Sequence, residues 1–375
     1  MSLHARLPKH SVIQTVLFIG IIGVTGAIAA LNARSFVRPE SVAVVNGSLA
    51  KAFETHYDAL FPVKKLGVNT WAAIDYTVFG EGRPGVVLGL EDWLYTDEEF
   101  DVGENYAATI ERHLLLIQHF EQQLASAGVA LVVGVVPAKA RIYSEFLAGR
   151  KPAEAHGELY DEVLTRLAAE AIPAADLRST LVAGKREQPT YFRTDTHWTP
   201  WGAKLAAAQI ATAVRDAGLL HSPGGVYVTR TEQALPFRGD LFNFLPLDPY
   251  FAQLLPPQES IDVMRTEAAI ASGGSAATAA QDLFGDSQVP EVVLVGTSYS
   301  ADSRWNFAGF LQEFLGEDIV NYAKEGAGPF RPMAAYLRSE DFRRQPPRLV
   351  IWEIPERALL EKLEPAAVGD RESPP

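Results

Sequence analysis

Asp195 and His197 stand two residues apart in the segment TDTHWTP, and roughly a hundred residues later the apolar run VVLVG ends just before Thr297 and Ser298. A serine hydroxyl is a weak nucleophile until an imidazole takes its proton, and a carboxylate keeps that imidazole oriented and stabilises its charged form. An alcohol, a base and an acid are the minimum set for moving an acyl group through a covalent serine ester. His197 is the natural base, since imidazole changes charge near working pH. The other histidines are placed less well: His4 and His10 precede an apolar N-terminal stretch, and His113 and His119 fall on an ordinary amphipathic helix.

Each of the three has a plainer reading. Ser298 can be a helix cap after a strand, and GTSYS puts Ser300 where a G-x-S-x-G elbow needs its second glycine. Asp195 can be a turn residue and His197 a rim histidine satisfied by its neighbours. An Asp-x-His pair is also a metal fragment, yet no further cluster at ligand spacing accompanies it, so no metal is expected. No cofactor is expected either, because the glycines of GGSAATAA lack the strand and lysine of a phosphate loop.

At 375 residues, 47% hydrophobic, with 24 prolines and 29 glycines, the chain suits one large globular domain or two small ones. A net charge of -13 without any basic block argues against a nucleic-acid partner. The absence of cysteine excludes a thiolate nucleophile, a disulfide framework and Cys-bound zinc. Residues 12–31 carry no charge, and as a helix they extend about 30 Å, the thickness of the bilayer core. Arg6 and Lys9 precede them, while Arg34 and Arg38 follow. Ala27, Ile28 and Ala29 resemble a signal-peptide cleavage site, but the run exceeds the usual h-region of about 7–15 residues, which favours an uncleaved anchor with the rest of the chain outside the cytoplasm.

The elements that must position the three groups follow from periodicity. Residues 36–80 read as a mostly helical connector, with Leu49, Phe53, Tyr57 and Leu60 at spacings of three and four. A turn at Pro84 and Gly85 leads to short strands from Val86 and through Trp93 to Tyr95. A helix from Ala107 to Gly128 precedes VALVVGVVP, a continuous β-branched run of the kind buried on both faces of a parallel sheet. Further expectations are a helix from Glu158 to Ala171, a strand near Ala174, and a helix capped by Thr199 with Pro200 in its first turn. Strands EVVLVG and RLVIWEIP complete the alternation, which predicts a doubly wound α/β fold with a mostly parallel sheet over residues 81–360. Within it, 222–290 reads as a loop or insertion, and 361–375 as a disordered tail.

The segments YFRTDTHWTPWGA, VVPAKARIYSEFL, VVLVGTSYSA, NYAKEGAGPF and VIWEIPER resemble the periplasmic alginate O-acetyltransferases of the AlgJ/AlgX type, members of the SGNH hydrolase-like superfamily. The resemblance runs from about Trp71 to Arg357. It implies that Asp195, His197 and Ser298 form a catalytic triad in the order acid, base, nucleophile, which resembles a circular permutation of the superfamily's serine-first arrangement. It also implies that Ser298 takes an acetyl group from a membrane-bound O-acyltransferase partner and passes it to a hydroxyl of an exported polysaccharide in the periplasm. Other polymer modification and export proteins are expected partners, and a signal-anchor in the inner membrane the expected tether. Tyr299, Arg304, Asn306 and Asn321 are candidate oxyanion or supporting groups, and Trp198, Trp201, Trp305 and Tyr322 candidate sugar platforms. The chain after Arg357 is too short for the C-terminal carbohydrate-binding module of AlgX-type relatives, which with the anchor favours the AlgJ-like branch. An acetyl-esterase with the same triad, and a non-catalytic export component, are the competing readings.

Overall fold

The computed structural model describes residues 9–39, 46–101, 105–150, 152, 154–220, 224–269 and 291–362. Two compact units emerge: residues 1–82 with 245–255, and residues 83–244 with 256–375.

The first unit is helical. Helix α1 (Lys9–Asn32) contains the uncharged stretch and is long and apolar enough to cross a membrane. Helix α2 (Ser48–Ala59) is fastened to its end: the Asn32 amide donates to the Leu60 carbonyl at 3.4 Å, Ser35 Oγ meets His56 Nε2 at 3.0 Å, and the Phe36 ring packs edge-on against Phe53. Helix α3 (Lys64–Ile74) continues into a π turn, Asp75–Phe79, and its buried Asn69 amide donates to the Pro246 carbonyl at 2.5 Å.

The second unit begins with the antiparallel pair β1 (Val87–Leu88) and β2 (Leu94–Tyr95). Then follow α4 (Tyr106–Ser126), β3 (Ala130–Val136), a single turn α5 (Lys139–Ile142), α6 (Glu154–Ala169), β4 (Ala174–Asp176), α7 (Leu177–Gly184) and α8 (Pro200–Asp216). Strands β5 (Tyr227–Phe237) and β6 (Glu259–Ala268) precede β7 (Val292–Val295), the turn α9 (Ser298–Ala301), α10 (Phe307–Leu315) and β8 (Ile319–Asn321). Helices α11 (Phe330–Leu337) and α12 (Glu340–Arg344) lead to β9 (Leu349–Pro355). The central sheet is parallel throughout, in the order β4-β3-β9-β7-β8.

The continuous apolar runs become the three middle strands because both faces of the sheet are covered. On β3, Leu131, Val133 and Val135 point into one core with α4, α6 and α11, whereas Val132 and Val136 point into the other with α8 and α10. The predicted cap holds: Thr199 Oγ1 accepts from the Gly202 N–H at 3.1 Å, and Pro200 opens α8.

Of the loop or insertion expected over 222–290, the described part holds an inserted strand pair rather than a loop. Strands β5 and β6 pair antiparallel from Tyr227–Ala268 to Phe237–Glu259 with one irregularity near Thr231. Both faces of β5 are largely exposed, so no apolar face marks it as a strand in the sequence. Residues 270–290, including most of the small-residue run, and residues 363–375 of the expected tail lie outside the described residues.

Candidate active site

Open parallel sheets gather reactive groups beyond the carboxyl ends of their strands, and this one does so from three strands. Ser298 follows β7, Lys139 follows β3, and Glu356 and Arg357 follow β9. His197 Nε2 lies 2.7 Å from Ser298 Oγ, and His197 Nδ1 lies 2.6 Å from Asp195 Oδ1. Acid, base and alcohol thus form one hydrogen-bonded line, the base and alcohol standing 101 residues apart in sequence. Asp195 is buried, while His197 and Ser298 keep partial access to solvent.

Residues 193–197 form a loop closed by the Tyr191–Trp198 bridge and by the Phe192 N–H on the His197 carbonyl. Such a loop wanders unless its backbone groups are satisfied, and here nearly all of them are. Glu259 accepts the N–H groups of Arg193 and Thr194, each at 2.9 Å. The ammonium of Lys139 donates to the carbonyls of Leu94, Arg193 and Asp195 at 2.5, 2.8 and 2.9 Å. Leu241 N–H donates to the Thr194 carbonyl, and the Tyr299 hydroxyl to the Thr196 carbonyl at 2.7 Å. Asp240 accepts from the Thr196 N–H at 2.9 Å and from its hydroxyl at 2.5 Å, while its own N–H donates to Asp195 Oδ2 at 2.8 Å. Gly239 is required beside it, because a Cβ there would collide with the Thr194 carbonyl.

Burial alone would lift the Asp195 carboxyl. The hydrogen bonds and charge of His197, with the Asp240 amide, outweigh it and hold Asp195 below the usual carboxylate range, so it stays an acceptor at neutral pH. Asp240 is pushed the other way, by burial and by the Asp195 charge. Burial also pushes Lys139 down to about 8, against the upward pull of Glu99, whose own carboxyl is raised by burial and accepts the N–H groups of Lys139 and Ala140.

The nucleophile turn rests on Glu353, a fully buried acid on β9. Its carboxylate accepts from the Thr297 N–H at 2.7 Å, from the Thr297 hydroxyl and from the Ser300 hydroxyl at 3.0 Å. A Cβ on Gly296 would run into this carboxylate, so the glycine is needed for close approach rather than for a left-handed backbone. The Trp305 indole N–H donates to the Ser298 carbonyl at 3.2 Å, and the Ser298 N–H has no acceptor among the described residues.

The remaining candidates fall around this centre in other capacities. Tyr299 is buried, with its hydroxyl held between the Thr196 carbonyl and Arg357. Asn306 spends its amide on Thr266 Oγ1, and Asn321 spends its own on the Ser300 carbonyl. Neither side-chain amide is left aimed at Ser298, which corrects their reading as oxyanion donors. Arg304 pairs with Asp302 and lies over the Trp305 ring at 4.8 Å with a half-exposed guanidinium. Trp198 and Trp305 are fully buried and offer no face to a sugar, because Trp198 packs against Tyr299 and Phe307, and Trp305 against Phe192 and Phe237. Trp305 instead stacks on His197 at 5.2 Å. Trp201 donates to the Gly184 carbonyl and Tyr322 to Asp341, and both stay half-buried.

Asp240, Glu259, Glu353 and Lys139 are the supporting residues that spacing does not reveal. Asp195, His197 and Asp240 also bring ligand atoms within 4.8 Å of one another. Yet Asp195 Oδ1 and Oδ2 already accept three N–H groups, Asp240 accepts two donors from Thr196, and both ring nitrogens of His197 are engaged. That donor set fits a proton relay better than a cation.

Residues 86–356 match the model of the SGNH hydrolase-like domain of acetyltransferase AlgX. The chain is 49% identical over 328 residues to the probable alginate O-acetylase AlgJ of Azotobacter vinelandii, covering 88% of this chain and 83% of that protein. It is 48% identical over 317 residues to that of Pseudomonas aeruginosa, covering 84% and 81%. The solved O-acetyltransferase domain of Pseudomonas putida AlgJ superposes with a TM-score of 0.69 at 38% identity, covering 77% of this chain and 97% of that one. With motif, fold and sequence in agreement, the chain belongs to the AlgX-type family of SGNH hydrolase-like acetyltransferases.

Proposed function

We propose that this protein transfers acetyl groups to hydroxyls of alginate through an acetyl-serine intermediate, with Asp195, His197 and Ser298 as the catalytic triad. The names of its relatives support the reaction and the polymer. The single observation that carries the mechanism is the unbroken line from Asp195 through His197 to Ser298, in a loop whose backbone is pinned on both sides.

In the first half-reaction, Ser298 Oγ attacks the carbonyl of an acetyl donor while His197 Nε2 takes its proton. The carbonyl electrons move to oxygen, where the Ser298 N–H can donate to the developing charge. Collapse expels the donor's leaving group, which leaves with the proton from His197. In the second half, His197 takes the proton of a sugar hydroxyl, whose oxygen attacks acetyl-Ser298; the ester passes to the sugar and Ser298 regains its proton. Asp195 holds the ring and stabilises the imidazolium in both halves. In this reading Arg304, half-exposed and paired with Asp302, is the cation that meets the carboxylate of a uronate unit. A membrane O-acyltransferase is the donor partner in this reading, and the periplasmic side of the inner membrane, with α1 as anchor, its location.

Incubating the purified protein with an acetyl-ester donor and alginate oligosaccharides tests the reading. Acetylated oligosaccharide is expected. Free acetate with unmodified sugar would make the protein an esterase instead.

A further inference from the structure

Helix α3 and its π turn carry their apolar side chains on the wrong face for a water-facing helix. Asn69 and Ala73 are buried, with the Asn69 amide fixed to the Pro246 carbonyl. The opposite face carries Trp71, Ile74, Val78 and Phe79, all exposed, with Trp71 at 63%, Val78 at 69% and Phe79 at 59%. A helix in water turns its apolar stripe inward, and large contiguous apolar patches mark surfaces that meet something. The π turn contributes directly, since its i to i+5 closure brings Phe79 into line with Ile74.

What covers this face is indicated by its attachment. The chain leaving α1 turns back at once onto α2, through Asn32 on Leu60, Ser35 on His56 and Phe36 on Phe53. Only residues 60–63 separate α2 from α3. An exposed tryptophan amid aliphatic groups, with Lys64 and Lys65 at the helix start, is the composition of a helix lying in a membrane interface. Lys64 pairs with Asp58, so the electrostatic share is modest and the apolar share dominates.

We propose that residues 63–79 lie in the headgroup layer of the bilayer that α1 crosses, with Trp71, Ile74, Val78 and Phe79 turned toward the acyl chains. This rests on the membrane reading of α1 and is independent of the acetyl-transfer chemistry. The segment is a second contact with the bilayer, and it limits how far the first unit tilts about its anchor.

Tryptophan fluorescence separates the outcomes, because α1 contains no tryptophan and the other five are buried or half-buried. The full-length protein is reconstituted into phosphatidylcholine vesicles containing lipid brominated near the headgroup, alongside Trp71→Phe. Quenching of the parent that largely disappears in Trp71→Phe is expected. Protein that floats with the vesicles but shows equal quenching in both forms overturns the proposal. Iodide then reports the cause: quenching by aqueous iodide places Trp71 in water, and protection from both agents places it under a protein. Protein that does not float refutes the membrane reading of α1 itself, and the proposal falls with it.

Discussion

Replacing Asp195 with asparagine keeps the shape of the acid and removes its charge, and the structure dictates what then goes wrong. The carboxylate accepts three N–H groups: the His197 backbone at 2.9 Å and Nδ1 at 2.6 Å on Oδ1, and the Asp240 backbone at 2.8 Å on Oδ2. An amide has one oxygen and one NH2. With its oxygen toward His197, the NH2 faces the Asp240 N–H, leaving buried donors opposed at a cost of about 1–3 kcal/mol. With the amide reversed, Nδ1 must offer a lone pair to the NH2. The ring proton then moves to Nε2, points at Ser298, and blocks the transfer the base has to make. Loss of the correct tautomer in a serine triad costs roughly 10⁴-fold in turnover, or about 5.5 kcal/mol of barrier. Turnover with oligosaccharide acceptor is the assay, and a melting curve shows that Asp195→Asn still folds, a few degrees below the parent. A folded variant with turnover within tenfold of the parent would refute the tautomer argument.

Other residues give separate tests. Lys139→Met strips three loop carbonyls of their donor, and turnover should fall at least tenfold, measured beside chemical denaturation. For Lys139 the folded value, near 8, lies below the unfolded 10.5, so the unfolded chain binds the extra proton and stability should rise with pH between them by about 3 kcal/mol. That rise should be missing from the denaturation profile of Lys139→Met. Gly296→Ala drives a methyl into the Glu353 carboxylate and brings it within 3.0 Å of Ser300 Oγ; turnover should drop about a hundredfold or more, since small misplacements of reacting groups are costly. Asp240→Ala frees Thr196, and kcat should fall roughly ten- to a hundredfold with KM little changed, as expected when a positioning contact is removed.

The convergence of the three candidate groups was legible where it is written locally. Asp195 and His197 share one loop, so their spacing already limits how far apart they can lie, and Ser298 sits at the end of an apolar strand whose carboxyl edge must face a cleft. The sheet was legible because β3, β7 and β9 are continuous apolar runs, which only burial on both faces explains. The supports were not legible, because Lys139, Asp240 and Glu259 are of types normally solvated and meet the loop only through tertiary contacts. Glu353 did leave a trace: a lone acid inside the apolar run LVIWEIP implies a buried partner, though not which one. The tryptophans misled for the opposite reason. Proximity in sequence to the motifs reflected core packing, and the rings of Trp198 and Trp305 face inward.

In the proposed reaction the acetyl group travels on Ser298. Brief exposure of the purified protein to an acetyl-ester donor without acceptor, followed by peptide mass spectrometry, should find one acetyl group on the peptide containing Ser298, which addition of alginate oligosaccharide then discharges. His197→Ala should show no such adduct on the same timescale. Acetylated oligosaccharide accumulating while Ser298 stays unmodified, or at an undiminished rate in Ser298→Ala, would contradict it.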